Sequence, residues 1–205
     1  MARPATKSPK PAAEPPLGRK DWIDAAITML AEDNVEALRV DTLAEKLGVT
    51  KGSFYWHFKG RDDLLSAVLD EWQLRMTSEV QSLIFDRSGT PWERLERLLR
   101  IAISGRPDVP GGPFEITLRD WARRDPKVAK VVRAVDESRT AFAAQLYREA
   151  GLSEADAQDY AEAHMAVVIG IRMTLVDSDN RDEIKRRRRI GAALLLPRER
   201  VAGKP

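Results

Sequence analysis

The stretch GVTKGSFYWHFKGRDDLL, residues 48–65, sets Phe54, Tyr55, Trp56, His57 and Phe58 in succession between Lys51 and Lys59. On a helical wheel of about 100° per residue, Phe54 and Phe58 share one face, and Trp56 points nearly opposite with Gly52 and Ser53. A tryptophan facing outward on so short a helix leaves apolar surface bare unless a partner covers it. Tyr55 and His57 flank that face, each with a hydrogen-bonding tip. From Lys46 to Arg61 there are four basic residues and no acid, and Asp62 and Asp63 follow at once. This set suits the edge of a nucleic acid. Gly52 allows close backbone approach, Ser53 can bond a base edge or phosphate, and Trp56 can pack on thymine methyls or sugar. Tyr55, His57, Lys59 and Arg61 would then reach phosphates, while the two phenylalanines hold the helix down.

The elements that must position these residues read as helices. Trp22, Ile23, Ala26, Ile27 and Leu30 recur at helical spacing over roughly residues 19–32. Val40, Leu43, Ala44 and Leu47 form a second, short helix that Gly48 stops in a left-handed conformation. Thr50 can cap a third helix ending near Phe58, and Leu64, Leu65, Val68, Leu69, Trp72 and Met76 stripe a long fourth. The second and third helices are separated only by Gly48, Val49 and Thr50, which is helix-turn-helix spacing.

Further along, Thr90-Pro91-Trp92-Glu93 combines a capping box with proline at the first helical position. SGRPDVPGGP is a loop, after which Phe114–Ala122 form a helix. Asp125-Pro126 opens another that ends at Gly151, and Ser153 with Asp156 starts the next. From Ala161 to Val176 that helix is apolar on nearly every side, so its second face is expected to meet another subunit. A last helix spans about Arg181–Leu195. No region alternates with period two between turn signals, so the fold class is all-α.

Composition bounds the function. The 205 residues are 43% hydrophobic, enough to fill a core, and contain no cysteine, which excludes disulfides and thiolate chemistry. Residues 1–17, with five prolines and no large apolar residue between Met1 and Leu17, read as a disordered tail. No apolar run is long enough to span a membrane, and the chain reads as cytoplasmic. His57 and His164 are the only histidines, so no metal site is expected, and His164 reads as a pocket or core residue. Glu115, Asp120 and Asp136 resemble an acid/base set only in type, and salt bridges are the better reading. The basic run Lys185–Arg189 encircles a helix and reads as a solvated face. No phosphate loop, dinucleotide fingerprint or serine elbow occurs, so neither an enzyme nor a cofactor is expected.

LRVDTLAEKLGVTKGSFYWHFKGRDDLL resembles the DNA-binding region of the TetR family of bacterial transcriptional regulators, in its short helix, G-V-T, K-G-x-x-Y-x-H-F core and acidic start to the next helix. The resemblance covers roughly residues 19–70. One departure is Arg39–Thr42, where many members read Thr or Ser before the second helix. The resemblance implies a DNA-binding domain over 18–64 and a ligand-sensing, dimerising domain over 65–205. It implies a homodimer that binds a palindromic double-stranded DNA operator and is released by a small-molecule effector. By position, Lys51, Gly52 and Ser53 match the start of the recognition helix, Tyr55 and His57 its phosphate contacts, and Arg61 the basic residue opening the next helix. The cavity the family implies would lie between the later helices, with Leu99, Phe114, Trp121, Met165 and Ile169 as candidate lining. The alternative is a helical protein-interaction module that uses the exposed aromatic face.

Overall fold

Ten α-helices, with one 3-10 turn and one π turn, make up the residues that the computed structural model describes, which are 17–85, 89–104, 112–174 and 180–196. No strand occurs among them. The Pro-rich segment up to residue 16, most of the loop after Ser104, and Leu175 and Val176 lie outside the described residues.

Three helices build the head: α1 (Arg19–Glu32), α2 (Val40–Lys46) and α3 (Lys51–Phe54). Helix α2 ends where Gly48 takes φ +67°, a conformation glycine adopts without Cβ strain. Helix α4 (Arg61–Leu74) runs through a π turn at Arg75–Glu79 into α5 (Val80–Phe85). The body comprises α6 (Pro91–Ser104), α7 (Gly112–Ala122), α8 (Pro126–Glu149), α9 (Glu154–Thr174) and α10 (Arg181–Leu195).

Local chemistry sets the helix starts as expected. Glu93 accepts from the Thr90 backbone N–H at 2.7 Å, and Thr90 Oγ1 accepts from Glu93 N–H at 3.3 Å. Asp125 accepts from Lys127 N–H at 2.8 Å, and Ser153 from Asp156 N–H at 3.1 Å. Thr50 differs. It occupies the N-cap of α3 but makes no side-chain cap bond; its carbonyl accepts from Ser53 N–H instead. Arg39, at the N-cap of α2, likewise makes no side-chain cap bond.

The head's core does not stop at the start of α4. Trp22, Ile27, Leu30, Leu43, Phe54 and Phe58 pack with Leu64, Val68 and Trp72, and the same cluster reaches Phe114 and Leu118 of α7 and Val128, Val132 and Val135 of α8. The head therefore rests on α7 and on the first half of α8. A second cluster joins Leu95 and Leu98 to Phe142, Leu146 and Tyr147, and a third joins Leu99, Ile103, Val168 and Leu195. The π turn lies where the first two clusters approach each other along the α4–α5 rod.

Candidate nucleic-acid interface and cavity

Helix α3 is too short to hold itself; tertiary burial holds it. Phe54 is fully buried with its ring edge-on to Trp22 at 5.4 Å, and Phe58 stacks on Phe54 at 5.3 Å between centroids. Burying each ring stabilises by roughly 1.5–3 kcal/mol, far more than one helical turn supplies. Past Phe54 the chain continues as hydrogen-bonded turns, with Phe58 N–H donating to Phe54 O at 3.0 Å. The Arg19 guanidinium closes over Phe58 from α1, 4.7 Å from the ring centroid.

The opposite face is open. Trp56 is 88% exposed and Tyr55 55% exposed, beside exposed Thr50, Lys51, Gly52 and Lys59, with Ser53 and His57 half-buried at the margin. A Cβ on Gly52 would meet nothing closer than Thr50 Oγ1 at 3.6 Å, so that face has no steric roof. Lys51 Nζ pairs with Asp41 at 2.8 Å, both exposed. Such a pair is weak and can yield to a phosphate. Asp41, one of the residues at which the chain departs from the family pattern, is thus the partner of the first residue of α3.

Arg61 is placed differently from its neighbours. Its Nε donates to the Leu38 carbonyl at 2.7 Å and its Nη2 to the Val35 carbonyl. Those bonds tie the first turn of α4 to the segment entering α2. The side chain therefore braces the motif from within, and nothing in the sequence around Arg61 announces partners so far back in the chain. Asp63 accepts from the Lys59 backbone N–H at 2.9 Å, which leaves the Lys59 side chain free of that task.

A narrow cavity opens among the π turn, α5, α6, α8 and α9, with about 60 Å³ open to the centre of a water-sized sphere. Its apolar walls include Met76, Val80, Leu98, Phe142 and Val168, and its polar groups are Thr77, Gln81, Arg139, His164 and Arg172. Of the five lining residues expected from sequence, only Met165 lies on it. Leu99 is turned toward α10, where it packs with Ile103 and Leu195. Phe114 and Trp121 pack in the head's core, and Ile169 lies off the cavity. Residues one position away on α6 and α9, Leu98 and Val168, take the inward places.

His164 is buried and lines this cavity. Tyr147 Oη donates to Leu195 O at 3.1 Å, so His164 Nδ1, 3.3 Å from the same hydroxyl, carries the proton, and Nε2 is left as an acceptor. Burial pulls the imidazole down to about 4, so it is neutral near pH 7, and burial likewise pushes the Tyr147 phenol up.

Beside the cavity, Glu115 is buried among three arginines. It accepts from Arg119 Nη2 at 2.8 Å, from Arg139 Nη1 at 2.9 Å and from Arg172 Nη1. Burial alone would raise its carboxyl, but Arg139, Arg172 and Arg119 outweigh burial and hold it at about 2. Arg119 also grips Asp136 through both nitrogens, at 2.8 and 2.9 Å. Glu115 and Asp136 thus share one ion-pair network, while Asp120 pairs separately with Arg124 at 2.7 Å. Among the described residues no group of His, Asp and Glu could hold a metal ion.

In the basic run, Lys185 and Arg186 pair with acids one turn earlier on α10, and Arg187 does something more specific. It donates to the Ile171 and Thr174 carbonyls at 3.3 and 3.1 Å, closing the C-terminal end of α9.

The geometry is that of an all-α protein carrying a helix-turn-helix head on a helical body. Residues 23–68 match the family model described as bacterial regulatory proteins, tetR family. The HTH-type transcriptional regulator SrpR of Pseudomonas putida is 43% identical over 60 residues, 29% of this chain and 28% of that protein. The tetracycline repressor protein class D of Escherichia coli is 40% identical over 55 residues, 27% of this chain and 25% of that protein. The chain spans well under half the length of these curated relatives. Likeness of fold extends further: a TetR transcriptional regulator from Legionella pneumophila superposes with a TM-score of 0.70 at 16% identity, covering 87% of this chain and 98% of that one. A regulator from Saccharomonospora viridis, in complex with choline, gives 0.74 at 16% identity over 86% and 94% of the two chains. Residues 23–68 thus match a TetR-family DNA-binding region, and the chain as a whole shares its fold with regulators of that kind. No described helix is long and apolar enough to cross a membrane.

Proposed function

We propose that the chain is a sequence-specific, DNA-binding transcriptional regulator, a homodimer that releases a palindromic operator when a small molecule enters the body. One observation carries this reading: a helix pinned by buried Phe54 and Phe58 presents Trp56 and Tyr55 to solvent beside Lys51 and Lys59. Thr50, Lys51, Gly52, Ser53, Tyr55, Trp56, His57 and Lys59 form the reading face, and Arg61 supports it from within. Its place of work is the cytoplasm, where the operator is. Residues 18–64 act as the reading head and 65–205 as the sensing and dimerising body, with α4 serving both.

Dimerisation is supported by α9. Ala163, Ala166, Gly170 and Met173 recur on one exposed stripe, and nothing lies within 4 Å of a Cβ on Gly170. Small residues there let a second copy approach closely. The cavity supports sensing, because Met76, Thr77 and Val80 of its wall belong to the π turn and the start of α5, the continuation of the helix that leaves the head. Arg75, at the start of that turn, holds Asp24 of α1 at 2.6 Å. A ligand pressing on the π turn would therefore act on a rod anchored to the head. The regulator from Saccharomonospora viridis is in complex with choline, but a cation gains nothing from a lining whose charged groups are Arg139 and Arg172.

The test is selection of duplexes bound from a random pool. Enrichment of a palindrome with half-sites about 34–36 Å apart is expected. Recovery of unrelated sequences would contradict the reading.

A further inference from the structure

We propose that the effector is a compact, largely apolar monocarboxylate whose carboxylate is taken by Arg139 and Arg172; this rests on the reading of the cavity as the sensing site. The lining contains two arginines and no acid, and His164 is neutral there, offering only an acceptor. The two guanidiniums are not used up by Glu115. Among the described residues, Arg139 donates hydrogen bonds through Nη1 alone and Arg172 through Nε and Nη1, the former to the Ala102 carbonyl at 2.6 Å. That leaves Arg139 Nε and Nη2 and Arg172 Nη2 without a hydrogen-bond acceptor among the described residues, on two side chains that line an apolar space, and the Arg139 guanidinium also faces the Trp72 ring, 5.7 Å from its centroid.

Charge sets the valence. Arg119, Arg139 and Arg172 face Glu115 and Asp136, so the network carries one excess positive charge. A single carboxylate neutralises it, and the planar fork of a guanidinium matches the two carboxylate oxygens. A phosphate monoester would bring surplus negative charge and polar surface into walls of Leu98, Phe142 and Val168. A cation would meet repulsion. The small volume of the cavity, about 60 Å³ open to the centre of a water-sized sphere, favours a short chain or one ring for the apolar part.

The site also has a route to the head. Arg139 and Arg172 are the guanidiniums that hold Glu115 of α7, and α7 packs against α1 through Phe114 and Leu118. A ligand carboxylate that draws these two arginines toward the cavity loosens the clamp on α7.

The test titrates the full chain with hexanoate and phenylacetate, with the neutral hexanamide and phenylacetamide, and with hexylamine. Calorimetry reads binding, and release of the duplex recovered by selection reads function. The carboxylates are expected to bind at least about tenfold more tightly than their amides, as charge-assisted hydrogen bonds imply, and to release DNA, with hexylamine inert. Arg139→Met should erase the preference for carboxylate over amide, and Arg139→Lys should weaken it while keeping its sign, each variant being checked by its circular dichroism melt. If amides bind and release DNA as well as carboxylates do, the cavity senses but the anion proposal is wrong. If no compound binds while DNA binding is intact, the proposal falls together with the sensing role of the cavity.

Discussion

Arg61 and Lys59 lie two residues apart and carry the same charge, yet the structure gives them different work. Replacing Arg61 by alanine removes its bonds to the Val35 and Leu38 carbonyls, leaving Val35 O only the Leu38 N–H at 3.3 Å, and the expected loss is about 1–3 kcal/mol in a urea melt, with the salt dependence of DNA binding unchanged in slope. Lys59→Ala should melt like the parent and lower that slope by about one. Among buried residues, His164 and Glu115 set the acid limb of stability. The imidazole titrates near 4 in the fold against an ordinary 6.5, so the unfolded chain takes the proton first. Stability from the neutral ring is full above pH 6.5 and is lost as pH falls toward 4, about 3 kcal/mol in all. Glu115, held at about 2 against 4.5, adds a further loss below pH 4.5. His164→Asn should flatten the first stage and leave the second, as read by melts across pH. Trp56 was legible from sequence because wheel geometry alone separates it from Phe54 and Phe58. Arg139 and Arg172 were not, since they meet Glu115 only once α7, α8 and α9 have packed.

Helix ends were the most readable elements, because their chemistry lies within a few residues. The capping pairs at Thr90 and Ser153 and the stop at Gly48 all stand where their residue types place them. Gly48→Val forces a branched side chain into φ +67° and should cost about 1–2 kcal/mol in a thermal melt, although open space surrounds the site. The π turn at Arg75–Glu79 was not readable. RMTSE contains neither proline nor glycine, and its register is set by Arg75 reaching Asp24 on α1 and Glu71 one turn back. The basic run was readable only in outline: Lys185 and Arg186 are solvated as their spacing implies, but Arg187 closes the end of α9, a contact that exists only because α10 folds back. Leu98 displaced Leu99 from the cavity for a similar reason. Both residues suit a helix interior, and the side that faces the cavity is decided when α10 takes the other, with Gly191 approaching so closely that a Cβ there would lie 3.3 Å from Leu99.

At the scale of the whole molecule, the head and body share a core, as the proposed sensing role requires. The first cluster runs from Trp22 through Trp72 to Val135, so a shift of α4, α7 or α8 is felt beneath α3. Two packed routes join the cavity to the head: the π turn with Arg75, and Glu115 on α7. A coupling of about 1–3 kcal/mol is typical of allosteric sites and would suffice for the proposed release of an operator. The all-helical class followed from periodicity, and the short helix pair α2 and α3 from the spacing around Gly48. The continuity of the core did not, because it depends on α7 and α8 returning beneath residues far earlier in the chain. The central claim is that the open face of α3 reads DNA. Its most direct test is the affinity of the selected duplex measured against salt for the parent and a Tyr55→Ala, Lys59→Ala double variant of equal thermal stability. The account predicts affinity that falls steeply with salt in the parent, and a variant that binds more weakly with a shallower slope. A variant that binds with the parent's affinity and slope would contradict it.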